Sequence, residues 1–350
     1  MHITPKVARY LSIINELQAA DLEVRELNSH VLLVDGLNTF FRAYSASPVR
    51  NADGEHVGGI SSFLLSIGSI IKMVKPTRII IAWDGVGGSQ RRRSIHKDYK
   101  TGRKPIKMLN RSADFEYTPD EENEQQRRQL LRLVDFIDTL PITTINVDGV
   151  EADDIIGYLA SHVIDGKVTI MSGDKDFYQL VNDRVQVWSP TKKIMINEIT
   201  VKDLTGVFPC NTTLVRSVIG DDKSDNISGV PRVGSKTLLK AFPQLCEPTK
   251  IILPELMKLA RESNTRIGNL LIEHEPIINR NIQLSSLNDS DMALSGTLKL
   301  DIFNQFQQIP EKTKQLKFFK LLVNDKMELA IKNVYVWIKE VFDPLNKFAK

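Results

Sequence analysis

Nine carboxylates stand where a phosphodiesterase working with divalent metal ions would need them, most of them at the ends of apolar runs. They are Asp35 in Val-Asp-Gly-Leu-Asn, Asp84 in Ile-Ala-Trp-Asp-Gly, Glu151, Asp153 and Asp154 in Glu-Ala-Asp-Asp, Asp174 and Asp176 in Ser-Gly-Asp-Lys-Asp, and Asp222 and Asp225 in Gly-Asp-Asp-Lys-Ser-Asp-Asn. One acid at a helix start is explained by capping and the helix dipole, but the three acids at 151–154 exceed that need. An Asx-turn accounts for one of Asp174 and Asp176, not for both. So many like charges in one crevice would repel unless a cation held them, and hard oxygen ligands suit Mg²⁺ or Mn²⁺. Two such ions about 3.5–4 Å apart activate a water and stabilise the leaving oxygen of an in-line phosphoryl displacement, with no His or Ser nucleophile required. None of the six His residues falls in a triad or zinc spacing.

The elements that must position these acids are legible in the apolar pattern. Residues 31–34, 79–83 and 168–171 read as short buried strands, each followed by an acid. In an open parallel sheet, ligands bind at the carboxyl ends of the strands, so acids distant in sequence converge there. A further strand is expected over 143–147, helices over 60–73, 119–139 and 151–163, a small hairpin over 185–188 and 193–196, and a mainly helical chain beyond 212. Residues 6–27, with Val7, Leu11, Ile14 and Leu17 at helical spacing, read as an amphipathic helix before the first strand.

Composition narrows the class. The 350 residues, 42% apolar, suffice for one large core or two modest domains. No apolar run approaches the roughly 20 residues of a membrane helix, and Lys6, Arg9, Glu16 and Asp21 interrupt the first 30 residues, so a cytoplasmic location is expected. Cys210 and Cys246 lack metal-ligand spacing and read as reduced structural thiols. The net charge of +3 says little, but residues 89–111 hold nine Lys or Arg against the single acid Asp98. Residues 85–118 therefore read as a mobile or partly helical basic excursion that gathers a single strand over the metals. The segment from Gly220 to Lys240 carries a second signal. Its core, Gly229-Val230-Pro231-Arg232-Val233-Gly234 followed by Ser235 and Lys236, reads as a hairpin between two helices whose backbone approaches phosphate at Gly234. Such a grip is independent of base sequence.

These motifs, over about residues 30–245, resemble those of the 5′ nucleases of the flap-endonuclease superfamily, which includes the 5′-nuclease domain of bacterial DNA polymerase I and stand-alone phage enzymes. The ribonuclease H of T-even-like phages is the type expected to be most similar. The resemblance implies an α/β fold with a PIN-like parallel-sheet core, a helical arch and a helix-hairpin-helix element. It implies a catalytic domain over 30–205 with the arch at 85–118, an N-terminal extension over 1–29, and DNA-binding and helical regions over 206–350. All nine acids match the family's metal-ligand positions, Arg92 and Lys100 its catalytic arch residues, and Arg103 a further basic arch position, with Tyr99 placed to stack on a base. The implied activity is two-metal, Mg²⁺-dependent cleavage of 5′ ends and flaps in DNA, with ribonuclease H activity on primers during replication. The expected partners are DNA with 5′ flaps, nicks or RNA–DNA hybrids, met by a monomer. A PIN-type endoribonuclease and a catalytically silent DNA-structure binder are the alternatives. Phe318, Phe319, Leu321 and Leu322 read as core, while the final residues, Val-Phe-Asp-Pro-Leu-Asn-Lys-Phe-Ala-Lys, are candidates for docking a single-stranded-DNA-binding protein or a sliding clamp.

Overall fold

The computed structural model describes residues 26–101, 117–222, 224–287 and 294–350. The expected helix over 6–27 therefore lies almost wholly outside the described residues, as do Arg103 and the second half of the basic excursion. The apolar runs become the strands of one six-stranded sheet: β1 (His30–Asp35), β2 (Arg78–Asp84), β3 (Thr143–Val147), β4 (Lys167–Met171), β5 (Val185–Ser189) and β6 (Ile194–Ile196). Their spatial order is β3-β2-β1-β4-β5-β6. The first five strands pair in parallel, whereas β6 runs antiparallel to β5. The expected parallel-sheet core is thus corrected to a mixed sheet, because the hairpin expected over 185–188 and 193–196 joins it: a tight turn links β5 to β6, and only antiparallel neighbours can be joined that way. From β1 the chain winds outward to β2 and β3, then returns to build β4 on the other side. The order reverses between β1 and β4, where an open sheet forms its ligand crevice.

Alternation along β1 sends Leu32 and Val34 to one face and Val31 and Leu33 to the other. On the first face lie α1 (Gly36–Ala46), α2 (Gly58–Val74) and α4 (Pro119–Ile137); α4 starts with a capping box in which Thr118 and Glu121 satisfy each other's backbone donors. On the second lies α5 (Ala152–Tyr158), which continues as a wider π-helical turn over Leu159–Val163. Between β2 and α4 a short helix, α3 (Gln90–Ile95), begins the basic excursion. After β6 come α6 (Glu198–Thr205) and α7 (Pro209–Ile219), then a two-residue antiparallel pair, β7 (Gly220–Asp221) with β8 (Ile227–Ser228), and α8 (Ser235–Ala241). With α9 (Leu253–Ser263), α10 (Arg266–Glu273) and α11 (Glu275–Ser285), residues 207–282 enclose a core of their own.

The last part of the chain returns to the sheet. Ile302 and Phe306 of α12 (Gly296–Phe306) complete the second face. Phe318, Leu321 and Leu322 of α13 (Gln315–Asn324), Trp337, Ile338 and Val341 of α14 (Val334–Val341), and then Phe342 and Leu345 complete the first. The side chains expected to dock a replication partner are therefore largely occupied: Val341, Phe342 and Leu345 are buried in the core.

Two polar devices fasten α12. Arg78, buried at the start of β2, donates to the carbonyls of Phe306 and Gln308 at 2.5 and 2.7 Å, to Asn28 and to Thr143, and its guanidinium lies 4.6 Å from the Phe306 ring centre. Burial lowers its pKa to about 10. On the sheet's edge, the Gln305 carboxamide accepts from the Asn146 N–H at 3.1 Å and donates to its carbonyl at 2.8 Å, as a neighbouring strand would. Arg78→Ala should leave two helix-end carbonyls and two side chains without a donor, at a cost of about 2–4 kcal/mol. Urea unfolding with an unchanged denaturant slope checks this, and a loss below about 0.5 kcal/mol would show the guanidinium to be dispensable.

Candidate active site

The acids expected to converge do so at the carboxyl ends of β1, β2 and β4, and three of them also meet a local backbone need. Asp35 is the N-cap of α1, accepting from the Asn38 N–H at 3.2 Å through Oδ1 and from the Ser172 hydroxyl at 3.0 Å through Oδ2. Asp84, at the end of β2, accepts from the Ala152 N–H at 2.7 Å, so it caps α5 from a neighbouring strand while the helix's own N-cap, Glu151, makes no capping bond. In the turn after β4, Asp174 Oδ1 accepts from the Asp176 N–H at 2.9 Å.

Charge coupling shows which acids face one another. Burial, then the Asp174 and Asp84 carboxylates, push Asp35 up to about 7, against the hydrogen bonds from Asn38 and Ser172. Burial and the charges of Asp35 and Asp174 raise Asp153 well above the usual carboxylate range. Asp176 is pushed up to about 7 by burial and Asp174, with Arg216 opposing. Asp84 is raised by the protein packed around it and by Glu151. Asp35, Asp84, Asp153, Asp174 and Asp176 thus form one all-oxygen group whose charges oppose one another.

Glu151 and Asp154 take a different part. Both oxygens of Asp154 accept from the buried Arg92 guanidinium, at 2.8 and 2.9 Å. Glu151 pairs with Arg92 as well, and accepts from Lys100 Nζ at 2.7 Å, Ser89 at 2.9 Å and the Tyr99 hydroxyl at 3.3 Å. Burial works against the Glu151 carboxylate, but Arg92 and Lys100 outweigh it and hold it at about 2. The described part of the basic excursion is therefore packed rather than loose. Arg92, expected to meet a phosphate, is 2% exposed and also donates to the Leu284 carbonyl; Tyr99, expected to stack on a base, is enclosed by Ile95, Ile227 and Leu284.

The duplex-side motif reaches the same place. Lys100 N–H donates to the Asp225 carbonyl at 3.1 Å, and His96 Nε2 lies 2.8 Å from the Asn226 carbonyl. The Asn226 carboxamide donates to the carbonyls of Asp98 and Thr101. Lys100 and Asn226 both adopt left-handed backbone, φ 57° and 56°. Asn tolerates that region, Lys poorly, so the bonds between the two loops hold a strained residue in place. Sequence reasoning passed over Asn226 because its signal, an Asn in a turn, is common.

Asp222 is exposed in the same turn, and Asp225 lies near Asp176. Gly220 (φ 80°) and Gly229 back onto each other: a Cβ on Gly229 would stand 2.0 Å from the Ile219 carbonyl oxygen. Gly234 differs, since among the described residues a Cβ there would meet nothing within 4 Å, and no packing among them requires glycine at that exposed corner. Arg232 and Lys236 are exposed and Ser235 half-buried, while Val230 is turned into the helical core. Among the described residues no three His, Cys, Asp or Glu side chains already stand in ligating geometry. The chemistry of the donor set nevertheless fits a hard divalent cation, because it consists of carboxylates whose mutual repulsion such an ion would relieve.

Residues 30–206 match the family model described as the N-terminal, resolvase-like domain of 5′-3′ exonucleases. The chain is 34% identical to DNA polymerase I of Bacillus subtilis over 229 residues, 63% of this chain but only 24% of that protein, so it spans about a quarter of that relative's length. It is 30% identical to the 5′-3′ exonuclease of the same organism over 225 residues, 61% of this chain and 69% of that one. A structure of the bacteriophage T5 flap endonuclease with DNA and metal ions shares its fold, with a TM-score of 0.58 at 22% identity over 86% of this chain and 99% of that chain. Human GEN1 in complex with Holliday junction DNA gives 0.54 at 15% identity, over 90% and 73%. Two expectations are corrected by these matches. The mixed sheet with its helical C-terminal region is that of the 5′ nucleases and not a PIN fold, and the likeness is to cellular and phage 5′ nucleases rather than to the T-even ribonuclease H in particular.

Removing one repelling charge should steady the metal-free protein. Asp153→Asn is expected to melt about 2–4 °C higher than wild type without divalent ions. The gap should widen as pH rises: a carboxyl whose pKa is raised on folding contributes most stability while protonated and loses it as pH climbs through the folded value, whereas Asn does not titrate. Mg²⁺ should raise the wild-type melting temperature more than the variant's, as scanning calorimetry at pH 6 and 8 would read. A variant less stable at both pH values would contradict the charge argument. Asn226→Ala should cost about 1–3 kcal/mol and speed tryptic cleavage after Lys97 or Lys100, since it removes the latch and the residue suited to left-handed backbone. Unchanged cleavage kinetics would show that the arch base stands without it.

Proposed function

The chain belongs to the 5′-3′ exonuclease family, and from that premise we propose that it is a structure-specific, two-metal 5′ nuclease that hydrolyses phosphodiester bonds at 5′ ends and flaps in DNA and removes RNA primers in replication and repair. The observation that carries this reading is the convergence of Asp35, Asp84, Asp153, Asp174 and Asp176 from separate segments onto the switch point of the sheet. These five residues would hold two Mg²⁺ ions, with Asp222 and Asp225 reaching the second from the duplex side. Bound there, the ions supply an activated water and relief of charge on the leaving oxygen. Mn²⁺ is the natural substitute.

The chain's own residues do the remaining work. Arg92 keeps Glu151 ionised and fixes both Glu151 and Asp154 behind the ion-binding carboxylates. Lys100, tied to Glu151 and held by the Asp225 carbonyl, brings positive charge to the rim where a phosphate chain arrives. Arg232, Gly234 and Lys236, exposed, with the half-buried Ser235, form the corner suited to duplex backbone.

Product mapping on an end-labelled 5′-flap substrate, with and without Mg²⁺, tests the reading. Wild type should release short 5′ products only with the divalent ion, and Asp174→Asn should lower the single-turnover rate by about 10²–10³-fold or more while duplex affinity holds. Cleavage confined to plain single-stranded RNA would move the activity to an endoribonuclease, and binding of flap DNA with no cleavage in Mg²⁺ or Mn²⁺ would make the protein a binder only. A second measurement isolates the duplex corner: Lys236→Ala should weaken flap and nicked-duplex binding uniformly across sequences and lower the salt slope by about one unit. A sequence-dependent loss would contradict a backbone grip.

A further inference from the structure

Arg216, in the last turn of α7, reaches from the duplex-side motif into the acids after β4. Its Nη2 lies 2.6 Å from Asp176 Oδ1 and 3.2 Å from Asp221 Oδ2. Asp174 and Asp225 also act on its charge. The same small cleft is lined by Asp176, Gly220, Asp221, Asp225, Ile227 and Leu284.

The way this guanidinium is held differs from that of Arg92. Arg92 is buried and fitted by hydrogen bonds to Leu284, Glu151 and Asp154. On Arg216, by contrast, the buried Nε–H has no hydrogen-bond partner among the described residues, and Asp176 Oδ1 meets the guanidinium as an ion pair without hydrogen-bond geometry. The contact between Arg216 and Asp176 is therefore one of charge and not of a directed hydrogen bond. While its Nη2 also donates to Asp221 at 3.2 Å, the contact held by charge alone, that with Asp176, can be given up when a stronger positive charge arrives.

We propose that Arg216 is a displaceable counter-cation of the second metal site: it neutralises Asp176 and Asp221 in the ion-free protein and competes with a divalent ion for Asp176. The inference rests on the metal-dependent reading and adds to it a residue that opposes ion binding. It also makes filling of that site and the arrangement of the β7–β8 turn one event, because Asp221 opens that turn and shares the same guanidinium. For a fixed ligand the usual effect of deleting a neighbour is weaker binding. Here the sign is reversed, since a positive charge beside the ion's own ligand repels it.

The test is calorimetric titration of Mn²⁺ into the full chain without DNA, comparing wild type with Arg216→Met, Arg216→Gln and Arg216→Lys. Both neutral variants should bind the weaker of the two Mn²⁺ ions about tenfold tighter or more. Arg216→Lys, which restores the charge, should return the affinity to near wild type. Unchanged or weaker Mn²⁺ binding in neutral variants that melt like wild type would overturn the proposal. So would failure of both to fold, which would make Arg216 a brace. If wild type itself bound no Mn²⁺, the metal-dependent reading would fall first.

Discussion

Repulsion among carboxylates at one edge of one sheet is the constraint around which this chain is arranged. A carboxylate alone at the end of a strand is cheap to solvate, but burial raises the pKa values of acids brought together from separate segments and their mutual repulsion raises them further, as Asp35, Asp153 and Asp176 show. The fold gains from the same acids in another way, because three of them satisfy backbone donors that would otherwise be orphaned. Asp35 caps α1, Asp84 caps α5, and Asp174 closes its own turn. The groups that concentrate charge are therefore the groups that start the helices around them.

Positive charge is graded to match. Arg92 is enclosed and forked onto two acids, Lys100 is half-buried on one of them, and Arg216 stands among acids with part of its hydrogen-bonding capacity unmet. Moving from Arg92 toward Arg216 is moving from scaffold to chemistry. The Asn226 latch crosses that gradient, since it joins the segment carrying Lys100 to the turn carrying Asp225. A phosphate chain drawn toward the rim thus meets cations whose positions depend on both halves of the molecule.

The strands and the acids at their ends were legible because burial on both sheet faces leaves continuous apolar runs, and because acids just past such runs have few structural reasons to cluster. The short β5–β6 hairpin and the helix at 58–74 were equally plain. Arg92 and Tyr99 were legible as residues but not in their surroundings: a buried counter-cation and a surface one have the same sequence, and only the acids opposite, 59 residues on for Arg92 and Glu151, decide between them. The return of residues 302–345 to the sheet was invisible for a similar reason. Helical periodicity shows that an apolar face exists, not which distant face it meets.

The carboxamide of Gln305 gives the C-terminal region a further meaning. β3 ends the sheet, and an uncovered terminal strand is a template on which a strand of another molecule can be added. By offering one acceptor and one donor to Asn146, Gln305 imitates a single residue of a seventh strand and then departs at the pitch of a helix, so the hydrogen-bonding ladder cannot propagate. The helix that carries it thereby closes the sheet's edge at that residue, and it does so with one glutamine rather than with a charged side chain.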